Sequence, residues 1–417
     1  VVFAQSAEDV SATLRFAHQN NIPVTTRGAG VGYVGGAVPS KGGIVLSVAR
    51  MNRILEINPS DGVAVVEPGV ITGDLQEAAR KTGWAYPPDP ASLKESSLGG
   101  NIATNAGGPR CLKYGVTRHY VLGLEVVLAD GRILNAGGRC HKNKTGFDLV
   151  GLFVGSEGML GVVTKATLRL IPHPPAKVLL SVSFASFPEA ARAVDTILGN
   201  GFLPAAIEIA DQFTLEAARK NTGTGLVPDG DAHLIVELDG HAESVSREAA
   251  AVAQLLRDKH AIRHLASADN EEGREAIWNI RRAFSPSLRA TGLTKLNEDV
   301  VVPRGRLCEL VEFSAQLQGE CGFPIACFGH AGDGNIHVNI MVDDIDDPAV
   351  RKKSDDVLDR LFHKVLDLGG AITGEHGVGL AKKRWFPEAV GEIGLNVHRQ
   401  LKHALDPTNI LNPGKFV

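Results

Sequence analysis

The sequence predicts an α+β protein with more than one domain. Its 417 residues exceed the roughly 100–200 residues of a typical single domain. Two patterns divide them: apolar runs joined by short hairpin turns come first, and helices alternating with short strands follow. Glycine is unusually frequent, with 47 residues against an ordinary share of about 7%. This excess indicates many sharp turns or close approaches of the backbone to a ligand.

The first pattern predicts a helix, a strand and two hairpins. Ser6 and Asp9 form a capping-box pattern ahead of apolar residues at helical spacing, which predicts a helix over 6–20 and then a strand. Apolar runs on either side of turn residues predict hairpins over 54–67 and 122–136. Glycine-rich segments separate these elements in place of regular strand–helix–strand repeats. We therefore expect a mixed helix and sheet domain over the first 172 residues.

The second pattern begins near residue 177 and predicts a sheet covered by helices. Short strands are separated by amphipathic helices and not by hairpin turns. This order favours a helix-backed antiparallel sheet. We assign residues 173–390 to this domain. Residues 391–417 read as a helix followed by a proline-containing tail, and we expect them to return to the first domain, over 1–172.

Composition and charge exclude several classes of protein. Lys and Arg total 43 and Asp and Glu total 47, a net charge of −4 without a basic tract, so we expect no nucleic-acid partner. The five cysteines form no CxxC pair, which indicates reduced thiols in a cytoplasmic protein and no iron–sulfur cluster in this chain. The sequence has no apolar run of about 18 residues and does not open with a signal pattern. We expect no transmembrane segment, and any peripheral membrane association to depend on a partner.

A glycine-rich loop follows the first predicted strand. Residues 30–35 match GxGxxG, the pattern of dinucleotide-binding βαβ units. That interpretation requires a helix at the glycines and an acidic residue about 20 residues later. The continuation over 37–43 is too rich in glycine and proline to form a helix, and residues 49–52 include no carboxylate. We therefore favour a nest of main-chain N–H groups that binds an anion such as phosphate, with Arg27 beside it.

Two further segments, over 97–108 and 155–162, are rich in glycine and small residues. An ordinary turn explains any one such segment equally well. Three in one domain favour an extended ligand with a diphosphate, because flat rings and phosphates both need a close approach of the backbone.

Four segments, over 27–39, 99–108, 155–164 and 412–415, together resemble the FAD-linked 2-hydroxy acid dehydrogenases. This family includes the flavin subunit of glycolate oxidase, D-lactate dehydrogenases and D-2-hydroxyglutarate dehydrogenase. The resemblance covers nearly the whole chain in order. It implies a fold of the vanillyl-alcohol oxidase type, in which two α+β subdomains enclose FAD and a cap domain covers the isoalloxazine ring.

The resemblance also implies which residues contact FAD. They lie in the glycine-rich segments and their flanks: Arg27, Gly28, Ala29, Gly30, Val31, Gly32, Pro87, Asp89, Ser97, Gly100, Asn101, Thr104, Asn105, Gly108, Glu157, Gly158, Gly161, Val162 and Asn412. Relatives often carry Gly-Gly-Gly-Thr-Ser at positions 28–32, so we expect one hydroxyl contact to the diphosphate to be missing. The loop holds no histidine, so we expect FAD to be bound non-covalently. Relatives also carry several dozen residues ahead of the first one here, and we expect such a segment to precede this sequence.

Two histidines and a glutamate form a candidate metal site. His330 lies before a glycine turn and His337 lies in a predicted strand, while Glu375 and His376 stand between glycines in a segment too flexible to serve core stability. Two imidazoles and a carboxylate bind divalent Zn, Mn or Fe and leave positions open for substrate. Isolated histidines more often cap loops or satisfy buried carbonyls, but the shared glycine-rich context favours a metal. The resemblance likewise implies metal ligands at His330, His337 and Glu375 and a catalytic base at His376.

Polar residues around this motif form a candidate substrate site. Arg281 and Ser285 are spaced to share one helical face. Arg281 can bind a carboxylate through two parallel hydrogen bonds, although a solvated surface cation explains it equally well. The resemblance implies substrate contacts by Arg281, Ser285, Lys295 and Asn339. Pro286 directly follows Ser285, and we expect it to distort the helix.

Together with the resemblance, these residues predict an FAD-dependent oxidation of a small 2-hydroxy acid, such as glycolate or D-lactate, to the 2-oxo acid. The resemblance implies the D configuration where the substrate is chiral. A divalent metal lowers the pKa of the substrate hydroxyl, His376 takes its proton, and flavin N5 receives the hydride. The electrons then pass to an iron–sulfur subunit, an electron-transfer flavoprotein, a quinone or oxygen. Two alternatives remain: a metal-free alcohol or sugar-lactone oxidase on the same fold, and a flavin-binding electron-transfer subunit without catalytic activity.

Overall fold

The computed structural model describes residues 1–223 and 227–417, and the chain forms two compact units. The first unit comprises Val1–Gly108, Tyr114–His173 and Glu375–Val417. The second unit comprises Pro109–Lys113 and Pro174–Gly374.

Up to residue 173 the elements are mostly short strands, with helices between some of them. In chain order they are β1 (Val2–Phe3), α1 (Ala7–Gln19), β2 (Val24–Arg27), β3 (Ile44–Ser47), β4 (Ile54–Asn58), β5 (Val63–Val66), α2 (Thr72–Arg80), β6 (Trp84–Ala85), α3 (Leu98–Thr104), α4 (Cys111–Tyr114), β7 (Val121–Val127), β8 (Ile133–Gly137), α5 (Leu149–Phe153), β9 (Val162–Arg169) and β10 (Ile171–Pro172).

Three sheets organise these elements. Strands β1, β3 and β2 form a parallel sheet, β4, β5, β9, β7 and β8 form an antiparallel sheet, and β6 pairs with β10. The pairs β4–β5 and β7–β8 confirm the two predicted hairpins. Helix α1 begins where the capping pattern predicts, because the Ser6 side chain accepts a hydrogen bond from the Asp9 N–H. The predicted FAD-binding residues lie in these elements and in the segments that join them, apart from Asn412 in the C-terminal segment.

The second unit continues with longer elements. They are β11 (Ala176–Phe184), α6 (Phe187–Gly199), β12 (Ala206–Asp211), α7 (Gln212–Thr222), β13 (Ala232–Gly240), α8 (Ala242–Lys259), β14 (Ile262–Ala268), α9 (Glu271–Arg289), β15 (Thr294–Val301), α10 (Leu307–Cys321), β16 (Ile325–His330), β17 (Asn335–Val342) and α11 (Pro348–Asp367). Helix α9 continues through Pro286, where the sequence predicts a distortion.

A seven-stranded antiparallel sheet forms the centre of the second unit, in the order β14, β11, β13, β12, β16, β17 and β15. This confirms the helix-backed antiparallel sheet that the sequence predicts. Helices α7 and α9 pack on one face, where Phe284 lies in a buried apolar cluster with Ala210, Phe328 and Met341. Because side chains alternate along a strand, that face also receives every second residue of β12, β16 and β17.

The last segment of the chain belongs to the first unit. It contains α12 (Phe386–Leu405), two helical pieces joined at Gly391, which has φ of 70°. The Asn412 N–H donates to Val24 O and thereby ties the C-terminal tail to β2. The sequence places the return at residue 391, whereas the first unit resumes at Glu375. The difference arises because backbone hydrogen bonds hold residues 378–381, and no side-chain pattern signals such bonds.

None of the helices in residues 1–223 and 227–417 has both the length and the hydropathy needed to cross a membrane.

Candidate active site

The glycine-rich loop after β2 presents unused main-chain donors. Residues 28–33 form no helix and are largely exposed. Within the described part of the chain, the N–H groups of Gly30, Val31 and Gly32 donate to no protein acceptor. Arg27 spans the loop, because its guanidinium donates to Ala37 O at 3.3 Å. Adjacent unpaired N–H groups with a cation nearby are the arrangement expected of an anion-binding nest, and they fit the diphosphate of FAD.

The loop rests on the start of α3. Ser97 is the N-cap of that helix, and its hydroxyl accepts hydrogen bonds from Gly100 N at 3.4 Å and from Ala29 N at 3.2 Å. A Cβ at Gly28 would lie 2.3 Å from Ser97 Oγ, so a larger residue there would displace the Ser97 hydroxyl from its present position. The structure therefore brings together four of the predicted FAD-binding residues at a close approach of two backbone segments.

The other predicted FAD-binding residues near α3 have identifiable neighbours. Asn101 donates to Thr72 Oγ1 at 2.6 Å, and Asn105 Oδ1 accepts from Arg118 N at 2.8 Å. The Thr104 hydroxyl donates to Gly100 O within the helix. These bonds order α3 and its C-terminal cap.

Two more pairs of predicted FAD-binding residues lie at close backbone contacts. A Cβ at Gly108 would lie 2.3 Å from Asp89 O, which accounts for glycine at that position. Gly161 packs against Val126 and Phe153 just before β9 and Val162. Packing alone therefore explains Gly161, and its contact with FAD stays a prediction.

Glu157 joins two parts of the first unit that are distant in sequence. Its residue is buried, and its carboxylate oxygens accept from Val378 N at 2.7 Å and from Gly379 N at 2.9 Å. Burial raises the pKa of Glu157 to about 7, although the two N–H donors and the charge of Lys415 oppose the rise. The sequence predicts Glu157 as a contact of FAD, and the structure shows that its carboxylate fixes the segment that follows His376.

Other contacts hold the same segment against the glycine-rich loop. The N–H of Leu380 donates to Val34 O at 2.8 Å, and the rings of Tyr33 and His376 lie 4.9 Å apart. The Asn412 amide donates to Gly36 O at 2.9 Å and to Glu157 O at 2.8 Å. Consequently, the predicted catalytic base and the predicted diphosphate loop lie together within the first unit.

In the second unit, strand register collects polar residues on one face of the sheet. Glu208 on β12 lies directly opposite His330 on β16, and His337 on β17 lies opposite Asp299 on β15. The same register places Asn339 opposite Asn297, and Lys295 opposite Met341. Alternation along each strand directs these side chains to the same face, which α9 covers with Arg281 and Ser285.

The predicted metal ligands meet at the end of this face. His330, His337 and Glu375 each offer one ligand atom, and these atoms lie within 4.8 Å of one another. Both histidines are buried, and their rings are 5.5 Å apart in an edge-to-face orientation. Two imidazole nitrogens and a carboxylate oxygen at this spacing fit a divalent cation with room for further ligands.

A carboxylate outside this set, that of Glu208, lies behind His330. Glu208 is 1% exposed, and its Oε1 lies 2.6 Å from His330 Nδ1. Its Oε2 accepts from Arg281 Nε. Burial opposes the charge, but His330 and Arg281 hold the pKa of Glu208 below its usual value. His330 therefore directs Nδ1 into the protein, which leaves Nε2 as its ligand atom.

Asp299 fixes the turn that precedes Glu375. Its Oδ1 accepts from the Asn335 amide at 2.7 Å. Its Oδ2 accepts from Thr373 Oγ1 at 2.9 Å and from Gly374 N at 2.8 Å. Asp299 is fully buried, and it lies beside His337 in the register. The turn before Glu375 is thus held by the strand pair that carries His337.

The predicted substrate residues form a cationic cluster. Lys295 Nζ donates to Ser285 Oγ at 2.9 Å, and the Arg281 guanidinium lies 4.8 Å from the centre of the Phe328 ring. Burial, together with the charges of Arg289 and Arg281, lowers the pKa of Lys295 to about 8. Arg281 is a largely buried cation paired with Glu208, so it does not fit the alternative of a solvated surface residue.

Asn339 retains an unused acceptor. Its amide donates to Ala326 O and His337 O, but Asn339 Oδ1 has no hydrogen-bond partner among the described residues. The same holds for Oδ1 of Asn297, its cross-strand neighbour. Buried polar atoms are normally paired, so two neighbouring amide oxygens without donors suit a polar ligand on this face.

Sequence reasoning missed Glu208 and Asp299. Glu208 interrupts an apolar strand, Ala206–Ile209, and a lone carboxylate in such a run is a usable signal of a buried polar role. Asp299 gives a weaker signal, because it lies among other charged and polar residues in β15. Neither partner, His330 or Gly374, is near in sequence, so only the fold reveals their contacts.

Comparison with known proteins identifies the family of the chain. Residues 173–416 match the family model for the C-terminal domain of FAD linked oxidases, and residues 1–137 match that for an FAD binding domain. The chain is 39% identical over 416 residues to the glycolate oxidase subunit GlcD of Bacillus subtilis (strain 168), covering 100% of this chain and 88% of that protein. It is 39% identical over 418 residues to a D-lactate dehydrogenase of Archaeoglobus fulgidus, covering 100% of this chain and 91% of that protein.

Solved structures show the same fold. The 4-ethylphenol oxidase of Gulosibacter chungangensis superposes with a TM-score of 0.80 at 23% identity, covering 100% of this chain and 88% of that one. For p-cresol methylhydroxylase the TM-score is 0.80 at 20% identity, with the same coverage. These are flavoproteins of the vanillyl-alcohol oxidase type, so the predicted fold is confirmed. The chain therefore belongs to the FAD-linked oxidases of the glycolate oxidase and D-lactate dehydrogenase type.

Proposed function

We propose that this protein oxidises a small 2-hydroxy acid, of D configuration where it is chiral, to the 2-oxo acid. Glycolate and D-lactate are the first candidates, because relatives carry those names. The observation that carries the proposal is the metal-binding set, with the ligand atoms of His330, His337 and Glu375 within 4.8 Å of one another. A metal-free alcohol or sugar-lactone oxidase would have no use for such a set.

Non-covalently bound FAD supplies the hydride acceptor, flavin N5. The chain binds the cofactor largely through its backbone: the N–H groups of Gly30, Val31 and Gly32 serve the diphosphate, and Arg27 adds a positive charge. Ser97 and Gly28 keep the loop against α3. None of these residues takes part in proton transfer.

A divalent cation, Zn, Mn or Fe, supplies Lewis acidity that lowers the pKa of the substrate hydroxyl. His330, His337 and Glu375 would hold it. His376 follows Glu375 directly in the chain, and it takes the hydroxyl proton as general base. Glu157 fixes the backbone just after His376, which restricts where the imidazole can lie.

The substrate carboxylate needs a cationic partner that holds its orientation. Arg281 and Lys295 provide two positive charges, and a Lys295 pKa of about 8 keeps that amine mostly protonated at neutral pH. Ser285 accepts from Lys295 and limits its rotation. Asn339 offers an unpaired amide oxygen to a hydroxyl donor. Orientation of this kind is a large part of what enzymes contribute to hydride transfer.

The reduced flavin must pass its electrons on. We propose a separate acceptor: an iron–sulfur subunit, an electron-transfer flavoprotein or a quinone. We propose a cytoplasmic location, because the cysteines Cys111, Cys140, Cys308, Cys321 and Cys327 form no disulfide among the described residues. Association with a membrane would then depend on the acceptor.

Anaerobic titration tests the proposal. The FAD-loaded protein is mixed with glycolate, D-lactate, L-lactate and a simple alcohol, and flavin absorbance is followed with and without a metal chelator. We expect bleaching by a 2-hydroxy acid, preference for the D isomer, and loss of bleaching on chelation that added Zn²⁺ or Mn²⁺ reverses. Bleaching that survives metal removal would indicate a metal-free oxidase. No bleaching by any hydroxy acid would indicate an electron-transfer subunit.

A further inference from the structure

Glu208 links a proposed metal ligand to a proposed substrate-binding residue. One of its oxygens lies 2.6 Å from His330 Nδ1, and the other accepts from Arg281 Nε. Glu208 and His330 are 1% and 5% exposed in their side chains, so water does not compete for the contact. Both oxygens of a single buried carboxylate are therefore committed to residues of the candidate site.

The chemistry of this contact fixes the histidine tautomer. An ionised carboxylate only accepts hydrogen bonds, so the proton of a neutral His330 imidazole must be on Nδ1. The lone pair is then on Nε2, and a cation binds the nitrogen that carries no proton. A hydrogen bond from the opposite nitrogen to a carboxylate also makes the ligand more basic and holds the ring in orientation.

The sheet sets the geometry of the pair. Glu208 and His330 are directly opposed residues of the antiparallel strands β12 and β16, and both strands are almost wholly buried. Directly opposed side chains on one face lie about 4.5–5.5 Å apart at Cβ. The contact therefore follows from backbone register and does not require a loop to close.

We propose that Glu208 is a positioning residue for a divalent cation: it holds His330 with Nε2 as the ligand atom and keeps Arg281 in a fixed relation to that ligand. The assignment rests on the proposed function in one respect, namely that a cation binds His330, His337 and Glu375. Loss of the Glu208 carboxylate would then weaken the binding of the cation without removing any of its three ligands.

The test compares two buried carboxylates of the same sheet. Glu208→Gln keeps size and shape but removes the charge that orients His330. Glu237→Gln is the matched control, because Glu237 is also 1% exposed, pairs with Arg110 and Trp278, and is not a partner of the proposed ligands. Zn²⁺ affinity is measured on the FAD-loaded proteins by competition with a chelator, together with FAD content.

We expect Glu208→Gln to weaken Zn²⁺ binding about 10–100-fold, with FAD content unchanged, and Glu237→Gln to bind Zn²⁺ as the wild type does. Equal affinities in all three proteins would overturn the assignment while leaving the proposed function intact. A wild type that binds no Zn²⁺ would contradict the metal-assisted function itself, and this assignment with it.

A second measurement needs no variant at this position. Wild-type protein with ¹⁵N-labelled histidine and bound Zn²⁺ reports which ring nitrogen carries the proton, and His330→Asn identifies the signals of His330. We expect a protonated Nδ1 and a zinc-bound Nε2. The opposite tautomer would overturn the assignment even if Glu208→Gln failed to fold.

Discussion

The two units offer ligands different kinds of groups. In the first unit the loop over 28–33 presents main-chain N–H groups, and its glycines leave the space beside those groups open. In the second unit the sheet face presents imidazole, carboxylate, ammonium and guanidinium groups, each with a hydrogen-bond partner in the same unit. A backbone site binds a phosphate that needs no proton transfer, whereas acid–base and metal chemistry requires side chains.

The segment around His376 has a backbone held by hydrogen bonds and also presents functional side chains. Its backbone is fixed by the Glu157 carboxylate and by Val34 O, contacts of the first unit. Its side chains, Glu375 and His376, supply a proposed metal ligand and a proposed base. Substitutions in this segment, in the loop over 28–33 and on the sheet face of the second unit can therefore separate FAD binding from catalysis.

The largest effect is expected from His376→Ala. Removal of a general base typically costs about 10²–10⁴-fold in rate, so flavin reduction by the best hydroxy acid should slow by that factor. FAD content should not change, because the cofactor depends on backbone groups elsewhere. Stopped-flow absorbance measures the rate, and His398→Ala, at an exposed histidine of α12, is the control. A wild-type rate in His376→Ala would remove His376 from the mechanism.

Asp299→Asn should have the next largest effect. The amide cannot accept from Thr373 and Gly374 on one side and from Asn335 on the other without turning its NH₂ group toward a donor. We expect a loss of about 1–3 kcal/mol in the free energy of unfolding, and Zn²⁺ affinity lowered about tenfold or more because the turn before Glu375 is no longer fixed.

Thr373→Val is the graded control for Asp299, since it removes only one of the three hydrogen bonds. Its effect on Zn²⁺ affinity should be smaller than that of Asp299→Asn. Zn²⁺ binding of Asp299→Asn at the wild-type level would show that the turn is positioned by other contacts.

The separation of interacting residues along the chain explains what the sequence could predict. Helix α1 and the two hairpins follow from capping and from apolar runs around turn residues, which are local signals. The grouping of His330, His337 and Glu375 was predictable because rare residue types stand among glycines. Glu208 and Asp299 were not, because their partners lie 122 residues from Glu208 and 75 residues from Asp299 along the chain. The role of Glu157 was missed for the same reason, since it bonds the backbone of Val378 at 221 residues' distance.

Gly32→Ala tests whether FAD binds against the backbone of the loop over 28–33. A Cβ at Gly32 meets no atom within 4 Å, and the same is true of Gly138, which is also exposed. Neither alanine should therefore change the free energy of unfolding of the FAD-free protein. Gly32→Ala should raise the dissociation constant of FAD about tenfold, or ~1.4 kcal/mol, because its methyl group enters the space beside the unpaired N–H groups.

Gly138→Ala should bind FAD as the wild type does. Fluorescence titration of the FAD-free proteins measures both constants. Equal FAD affinities for the two variants would show that the cofactor does not approach the backbone at Gly32.

The last prediction concerns Glu157, whose buried carboxylate accepts hydrogen bonds from the backbone just after His376. Burial raises the pKa of Glu157 from 4.5 to about 7, so the folded protein holds a proton that the unfolded chain releases between those values. The stability linked to that proton is complete below pH 4.5 and is lost as the pH rises through about 7. Relative to Glu157→Gln, which cannot titrate, the wild type should therefore lose on the order of 3 kcal/mol in the free energy of unfolding across this range. Denaturant unfolding of both FAD-loaded proteins at several pH values measures the difference. A pH-independent difference would mean that the N–H groups of Val378 and Gly379 keep Glu157 ionised, and that the segment after His376 is held by a permanent charge.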